Sequence, residues 1–314
     1  VTSDPSEHSA GVARRDTGGD GARHWDQPRS YYGQPIVKEP AWTWQVPWYL
    51  FAGGLAGGAS LAAAVAEATG RGELARRTRG VAAGAATASP ALLISDLGRP
   101  RRFVNMLRVF KPTSAMSMGS WLLAAFGPAA TGAAALDGLG WLPTARRGLS
   151  AGAAVLGVPL TTYTAVLLSD SANPAWHGAR NTLPAVFASS AAASAGGAMT
   201  LVGPAAQTAP ARRLAAAAAA GEVVAFEVMR HRLGSPAAVF RAGRAGWWRR
   251  AATGSSLAGA AVLAAAGRGR AGRLAGAGLA LTGAVATRWA VFTAGVAAAR
   301  EPEHVVRQQR GERR

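Results

Sequence analysis

The chain has 314 residues, 49% of them hydrophobic and 16% charged, whereas an ordinary soluble domain carries about 25% charged residues. Its formal charge of +18 is almost all arginine, with lysine only at positions 38 and 111. The basic residues fall between apolar runs and form no dense patch, which argues for membrane loops and against nucleic-acid binding. The absence of cysteine excludes disulfides, thiolate zinc sites and cysteine-ligated iron–sulfur clusters within this chain.

Residues 1–40 are polar and lack an apolar core, so no cleavable signal peptide is expected, and residues 1–30 read as a disordered tail. Tyr31-Tyr32-Gly33-Gln34-Pro35 reads as an ordered cap leading to the membrane. Eight apolar windows follow, at 46–68, 81–96, 117–136, 149–169, 183–202, 214–229, 251–266 and 274–298. A span needs about 20 apolar residues, with some tolerance. The expected fold is therefore all-α, a polytopic membrane helix bundle of about eight transmembrane helices over residues 31–299, followed by a basic tail at 300–314. Small residues such as Gly53-Gly54 and Gly57-Gly58 predict closely packed helix backbones. An even number of spans puts both termini on one side, and the arginine excess there favours a cytoplasmic location in a bacterial plasma membrane.

On this topology the start of the first window, the end of the second, the loop 97–116, the end of the fourth and the loop 170–182 share one face. That face holds most of the polar and aromatic residues that stand out. Trp42, Trp44, Gln45, Trp48 and Tyr49 open the first window; most of these aromatics read as an interfacial belt, while Gln45 and Tyr49 place hydrogen-bonding groups where a quinone head group would enter. Asp96 closes the second window ahead of Arg99, Arg101 and Arg102. It is either ion-paired to them or a proton-handling carboxylate. Tyr163, late in the fourth window, is an interfacial anchor or a hydroxyl donor to a quinone carbonyl. Asp170 ends that window, and His177 in the following loop is a proton shuttle or a structural histidine. Glu67, Glu222, Glu227 and Arg288 lie within or near the spans, as snorkelling or paired groups or as parts of a proton path. No catalytic residue and no metal-ligand cluster stand out. The five scattered histidines do not supply the paired axial ligands of a two-haem bundle.

Several of these segments together resemble the NrfD/PsrC family of membrane subunits. The resemblance is carried by Tyr31-Tyr32-Gly33, Gly53 to Gly58, Asp96-Leu97-Gly98-Arg99-Pro100-Arg101-Arg102-Phe103, Phe110-Lys111-Pro112-Thr113-Ser114-Ala115-Met116-Ser117, Tyr163 to Asp170, and Pro174-Ala175-Trp176-His177. It implies an eight-helix, non-catalytic or quinone-reacting subunit of a molybdopterin oxidoreductase complex, such as a formate dehydrogenase- or polysulfide reductase-like one. Its partners would be a ferredoxin-like iron–sulfur subunit and a molybdopterin catalytic subunit, with the clusters and the molybdopterin carried only there. Menaquinone would be bound as a substrate, its head group held by Tyr163, Tyr49 and Gln45. Asp96, Asp170 and His177 would transfer protons, and Arg99, Arg101 and Arg102 would dock the partner. A family asparagine position near the start of the first helix is Val46 here, beside Gln45. Two other readings stand beside this one. A transporter or channel would need helices broken at mid-membrane, for which Pro90, Pro128 and Pro159 are candidates; a purely structural anchor would lack quinone chemistry.

Overall fold

The computed structural model describes residues 40, 42–98 and 101–300. The expectations for the tail at 1–30, the cap at 31–35, Arg99 and residues 301–314 lie outside the described residues. Among the described residues all regular structure is helical. The helices are α1 (Gln45–Ala68), α2 (Gly72–Asp96), α3 (Arg101–Met106), α4 (Ala115–Leu139), α5 (Pro143–Ser169), α6 (Pro174–Gly178), α7 (Leu183–Val202), α8 (Ala209–Leu233), α9 (Gly243–Ala265) and α10 (Arg270–Arg300). Two 3₁₀ turns, Ala205–Gln207 and Ser235–Phe240, flank α8.

The eight long helices fall on the eight apolar windows in order. Five of them, α1, α4, α5, α7 and α10, are long and apolar enough to cross a membrane. The chain is thus an all-α polytopic membrane helix bundle, a multi-pass architecture suited to a plasma membrane. The other three are longer than their apolar windows because charged turns extend them: Glu73, Arg76, Arg77 and Arg79 in α2, Arg230 and Arg232 in α8, and Arg249 and Arg250 in α9.

Chain neighbours pair as α1/α2, α4/α5, α7/α8 and α9/α10, and α1 lies centrally, packed on α2, α5, α7 and α10. Glycine makes that possible. A Cβ added at Gly57 would come within 2.5 Å of the Gly157 carbonyl oxygen in α5, and one at Gly157 within 2.7 Å of the Gly57 oxygen. The two backbones therefore touch, as the small residues of the first window predict. Pro90, Pro128 and Pro159 sit inside continuous helices and end none of them. Hydroxyls turn back onto nearby carbonyls, Thr131 onto Gly127 at 2.8 Å and Thr161 onto Val158 at 2.7 Å. The helix breaks expected of a transporter do not occur at these prolines.

Where α1 ends and α2 begins, four charged side chains from four helices close into a network. Arg79 of α2 bonds Glu67 of α1 at 2.8 Å and also pairs with Asp137 of α4. Arg146 of α5 bonds Glu67 at 2.7 Å and Asp137 at 3.3 Å. Glu67 is therefore a paired acid. Glu227 is too, with Arg230 at 2.5 Å and Arg249 at 3.8 Å.

Candidate functional site

The opposite end of α1 gathers most of the residues singled out by the sequence. The aromatics there divide into two groups. Trp44 and Trp48 face outward, as belt residues do, whereas Tyr49 is 2% exposed and turned into the core. Trp42 is tied inward by stacking on Trp176, with ring centroids 5.5 Å apart.

Asp96 closes α2 beside this end. Its Oδ1 accepts from the Thr43 backbone N–H at 3.2 Å and from the Thr43 hydroxyl at 2.8 Å. The Thr43 hydroxyl also contacts the side-chain oxygen of Gln45. Asp96, Thr43 and Gln45 thus form one polar cluster at the mouth of α1. Arg101 and Arg102 do not pair with Asp96, and Arg99, the other arginine of the ion-pair reading, lies outside the described residues. Arg102 is exposed and donates instead to the Leu97 carbonyl at 3.2 Å; Arg101 is exposed as well.

One helical turn further along, at i+4 from Gln45, Tyr49 points inward on the same side of α1. Facing it is Tyr163 of α5, near enough for the two phenols to act on each other electrostatically. Tyr163 can reach across because α4 carries Gly119 there. A Cβ at Gly119 would fall 1.8 Å from the Tyr163 hydroxyl oxygen, so the phenol occupies the space a side chain would need. Two phenols thereby face each other at the edge of the apolar core. Gly119 is positioned by the loop ahead of α4. Ser114 caps the helix, and the Ser117 hydroxyl accepts from the Lys111 N–H at 3.0 Å and donates to the Val109 carbonyl at 2.8 Å.

The second polar group lies where α5 ends. Asp170 is exposed at the C-cap of α5, and the His177 ring nitrogen Nδ1 lies 3.1 Å from the Ser169 carbonyl oxygen. Asn173-Pro174 reads as an N-cap followed by an N1 proline, and it acts as one. The Asn173 side chain accepts from the Ala175 N–H at 3.1 Å, and its amide donates to the Gly295 carbonyl of α10 at 2.7 Å. Trp176 donates to the Val291 carbonyl at 2.9 Å, and its indole fills the space over Gly295. This turn is locked to α10, and the Trp42–Trp176 stack links it to the Asp96 cluster. Asn173→Ala is expected to cost about 1–2 kcal/mol, through a lost cap and an unpaired buried carbonyl; thermal unfolding of the purified protein would measure it.

The structure therefore brings Gln45 to Asp96, Tyr49 to Tyr163, and His177 to the carbonyl preceding Asp170. Arg101 and Arg102 open the short helix α3 that follows. Thr43, Gly119 and the Trp42–Trp176 stack were not identified from sequence. Asn173-Pro174 carried a usable capping signal; Gly119 carried none. A separate apolar groove of about 530 Å³ opens at the other end of α1, lined by Leu61, Val65, Arg71, Ala195, Met199 and Leu214 among others, and it includes none of these residues. In comparisons with known proteins, residues 36–298 match the family described as Polysulphide reductase, NrfD. No curated protein matches the chain.

Proposed function

This chain belongs to the NrfD polysulphide reductase family, and on that premise we propose that it is the quinone-reacting membrane subunit of a multi-subunit oxidoreductase. It would pass electrons between an iron–sulfur partner subunit and menaquinone in the membrane, with the substrate chemistry in a molybdopterin catalytic subunit, as in a formate dehydrogenase- or polysulfide reductase-like complex. The observation that carries this reading is the facing of buried Tyr49 and partly buried Tyr163 beside the Asp96–Thr43–Gln45 cluster. A quinone head group is a flat ring with two carbonyl acceptors, and it suits a site that is mostly apolar with a few convergent donors. Tyr163 and Tyr49 would orient a carbonyl by donating to it, and Gln45 would complete the polar side. Asp96 on one flank, and Asp170 with His177 on the other, would exchange protons with solvent. Arg99, Arg101 and Arg102 would dock the iron–sulfur partner on this face.

In the same proposal all eight long helices cross the membrane. At about 1.5 Å per residue, the 23 to 25 residues of α2, α8 and α9 extend roughly 35 Å, enough for a hydrocarbon core of about 30 Å. Their terminal arginines would reach the interfaces. Both termini would then share one side, and the arginine excess there favours the cytoplasm.

One observation favours the runner-up, an anchor without quinone chemistry. Tyr163 is packed against Gly119, and in that reading its ring serves helix packing alone. Gly119→Ala separates the two readings. Its methyl group would displace the Tyr163 ring, so quinone-coupled activity should fall at least tenfold while the partner subunits remain bound. An active Gly119→Ala complex would favour the anchor. The wider reading is tested by purification from native membranes in mild detergent, with mass spectrometry of the associated chains and analysis for iron and quinone. Stoichiometric iron–sulfur and molybdopterin subunits are expected; a lone chain, free of both after crosslinking, would contradict the proposal.

A further inference from the structure

The half of the bundle formed by α7 to α10 encloses two charged side chains that the tyrosine site does not use. Glu222 of α8 and Arg288 of α10 are each 1% exposed. Arg288 donates from Nη2 to the Phe187 carbonyl of α7 at 3.0 Å, and its guanidinium carbon lies 3.6 Å from the centre of the Phe187 ring. The Glu222 Oε2 accepts from the Ser256 hydroxyl of α9 at 3.1 Å. Ser190 of α7 and Thr287 of α10 also face the carboxylate, and Arg288 is the charged group that acts on it. Yet no ion pair joins the two among the described residues, because Arg288 is drawn toward Phe187. Arg288 Nε and Nη1, Glu222 Oε1 and the Ser190 hydroxyl have no hydrogen-bond partner in the protein.

Four such atoms in one interior call for a ligand that both donates and accepts hydrogen bonds. An arginine stays charged even when buried, so it needs its counter-charge, and a polar gap beyond hydrogen-bond reach is the usual place for a bridging water. We propose that Glu222 and Arg288 form a hydrated internal site in which bound water bridges the pair and the Glu222 carboxylate exchanges a proton with that water. The step involves no electrons. Carboxylate and a proton delivered through water become the neutral acid, while Arg288 keeps its charge. Geometry permits it, because the guanidinium is held by Phe187 and does not clamp the carboxylate. Among the described residues the faces around Glu222 supply the hydroxyls of Ser190, Ser256 and Thr287 besides Arg288, and the nearest acid along α8, Glu227, is paired with Arg230 and Arg249.

The test uses the full chain in liposomes without quinone, so its outcome is independent of the tyrosine site. Infrared difference spectra between acidic and alkaline buffer should show a carboxylic acid C=O band that shifts on transfer to D₂O. Glu222→Gln should abolish it. Ser256→Ala, a small change at the α9 face, should shift it by removing the hydroxyl that bonds Oε2, and this variant decides the matter if Glu222→Gln fails to fold. The proposal is overturned if the wild-type band is absent or insensitive to D₂O, if it survives in Glu222→Gln, or if it is unmoved in Ser256→Ala.

Discussion

Tyr163→Phe should lower quinone-coupled turnover about tenfold to a hundredfold while leaving the complex assembled. The ring stays, so the close packing over Gly119 is preserved. What is lost is the hydroxyl that faces Tyr49 and in this account donates to the quinone, so a buried polar group is left short of a partner. An unsatisfied buried donor costs about 1–3 kcal/mol, and each 1.4 kcal/mol of transition-state stabilisation is a factor of about ten in rate. The effect should appear with a menaquinone analogue as acceptor or donor and be absent with a soluble dye that exchanges electrons directly with the partner subunits. Equal loss with both would mean that the substitution disturbs assembly, and unchanged turnover with the quinone analogue would remove Tyr163 from the site.

Arg79→Ala is expected to be the most destabilising of the single substitutions considered, by roughly 3 kcal/mol or more. The Arg79 side chain is 6% exposed and joins Glu67 to Asp137, with Arg146 as the second cation of the network. Removing it leaves two acids sharing one arginine in a partly buried setting, and truncating one member of a buried ion pair typically costs about 3–5 kcal/mol. Because the four members come from α1, α2, α4 and α5, the loss should loosen the packing of the α1/α2 hairpin on the α4/α5 hairpin. Arg76 provides the control: it pairs with Glu73 on the surface of α2, where screening by solvent leaves little net effect. Thermal unfolding in detergent should fall for Arg79→Ala and remain unchanged for Arg76→Ala. A similar midpoint for the two variants would show that the network does not hold the helices together.

The legible and illegible parts of this fold separate along physical lines. A buried or lipid-facing helix leaves a long apolar run in the sequence, and the eight runs fall on eight helices. The ends were less readable. The run at 81–96 misses the first turns of α2, whose charges break the apolar average although the helix continues through them to Gly72. The five- and six-residue helices α6 and α3 are too short to show a period. Tyr49, Gln45, Asp96 and Tyr163 could each be named from their type and depth. Their grouping could not, since it depends on which faces of α1, α2 and α5 meet. Asp96 illustrates this: Thr43, 53 residues earlier, donates to its carboxylate, a contact that nothing in the local sequence marks. Glu67 and Asp137 likewise could not be matched to Arg79 and Arg146 without lateral packing. Gly119 matters only because an aromatic ring from another helix lies over it.

The central claim is that quinone reacts at the α1–α5 tyrosine pair, and the most direct measurement is photolabelling of the native complex with a photoreactive menaquinone analogue, followed by peptide mapping. The account predicts that label concentrates on residues around Tyr49 and Tyr163, is displaced by excess menaquinone, and is reduced in Gly119→Ala. Displaceable label confined to the groove around Arg71 and Met199, or no displaceable label on this chain, would contradict it.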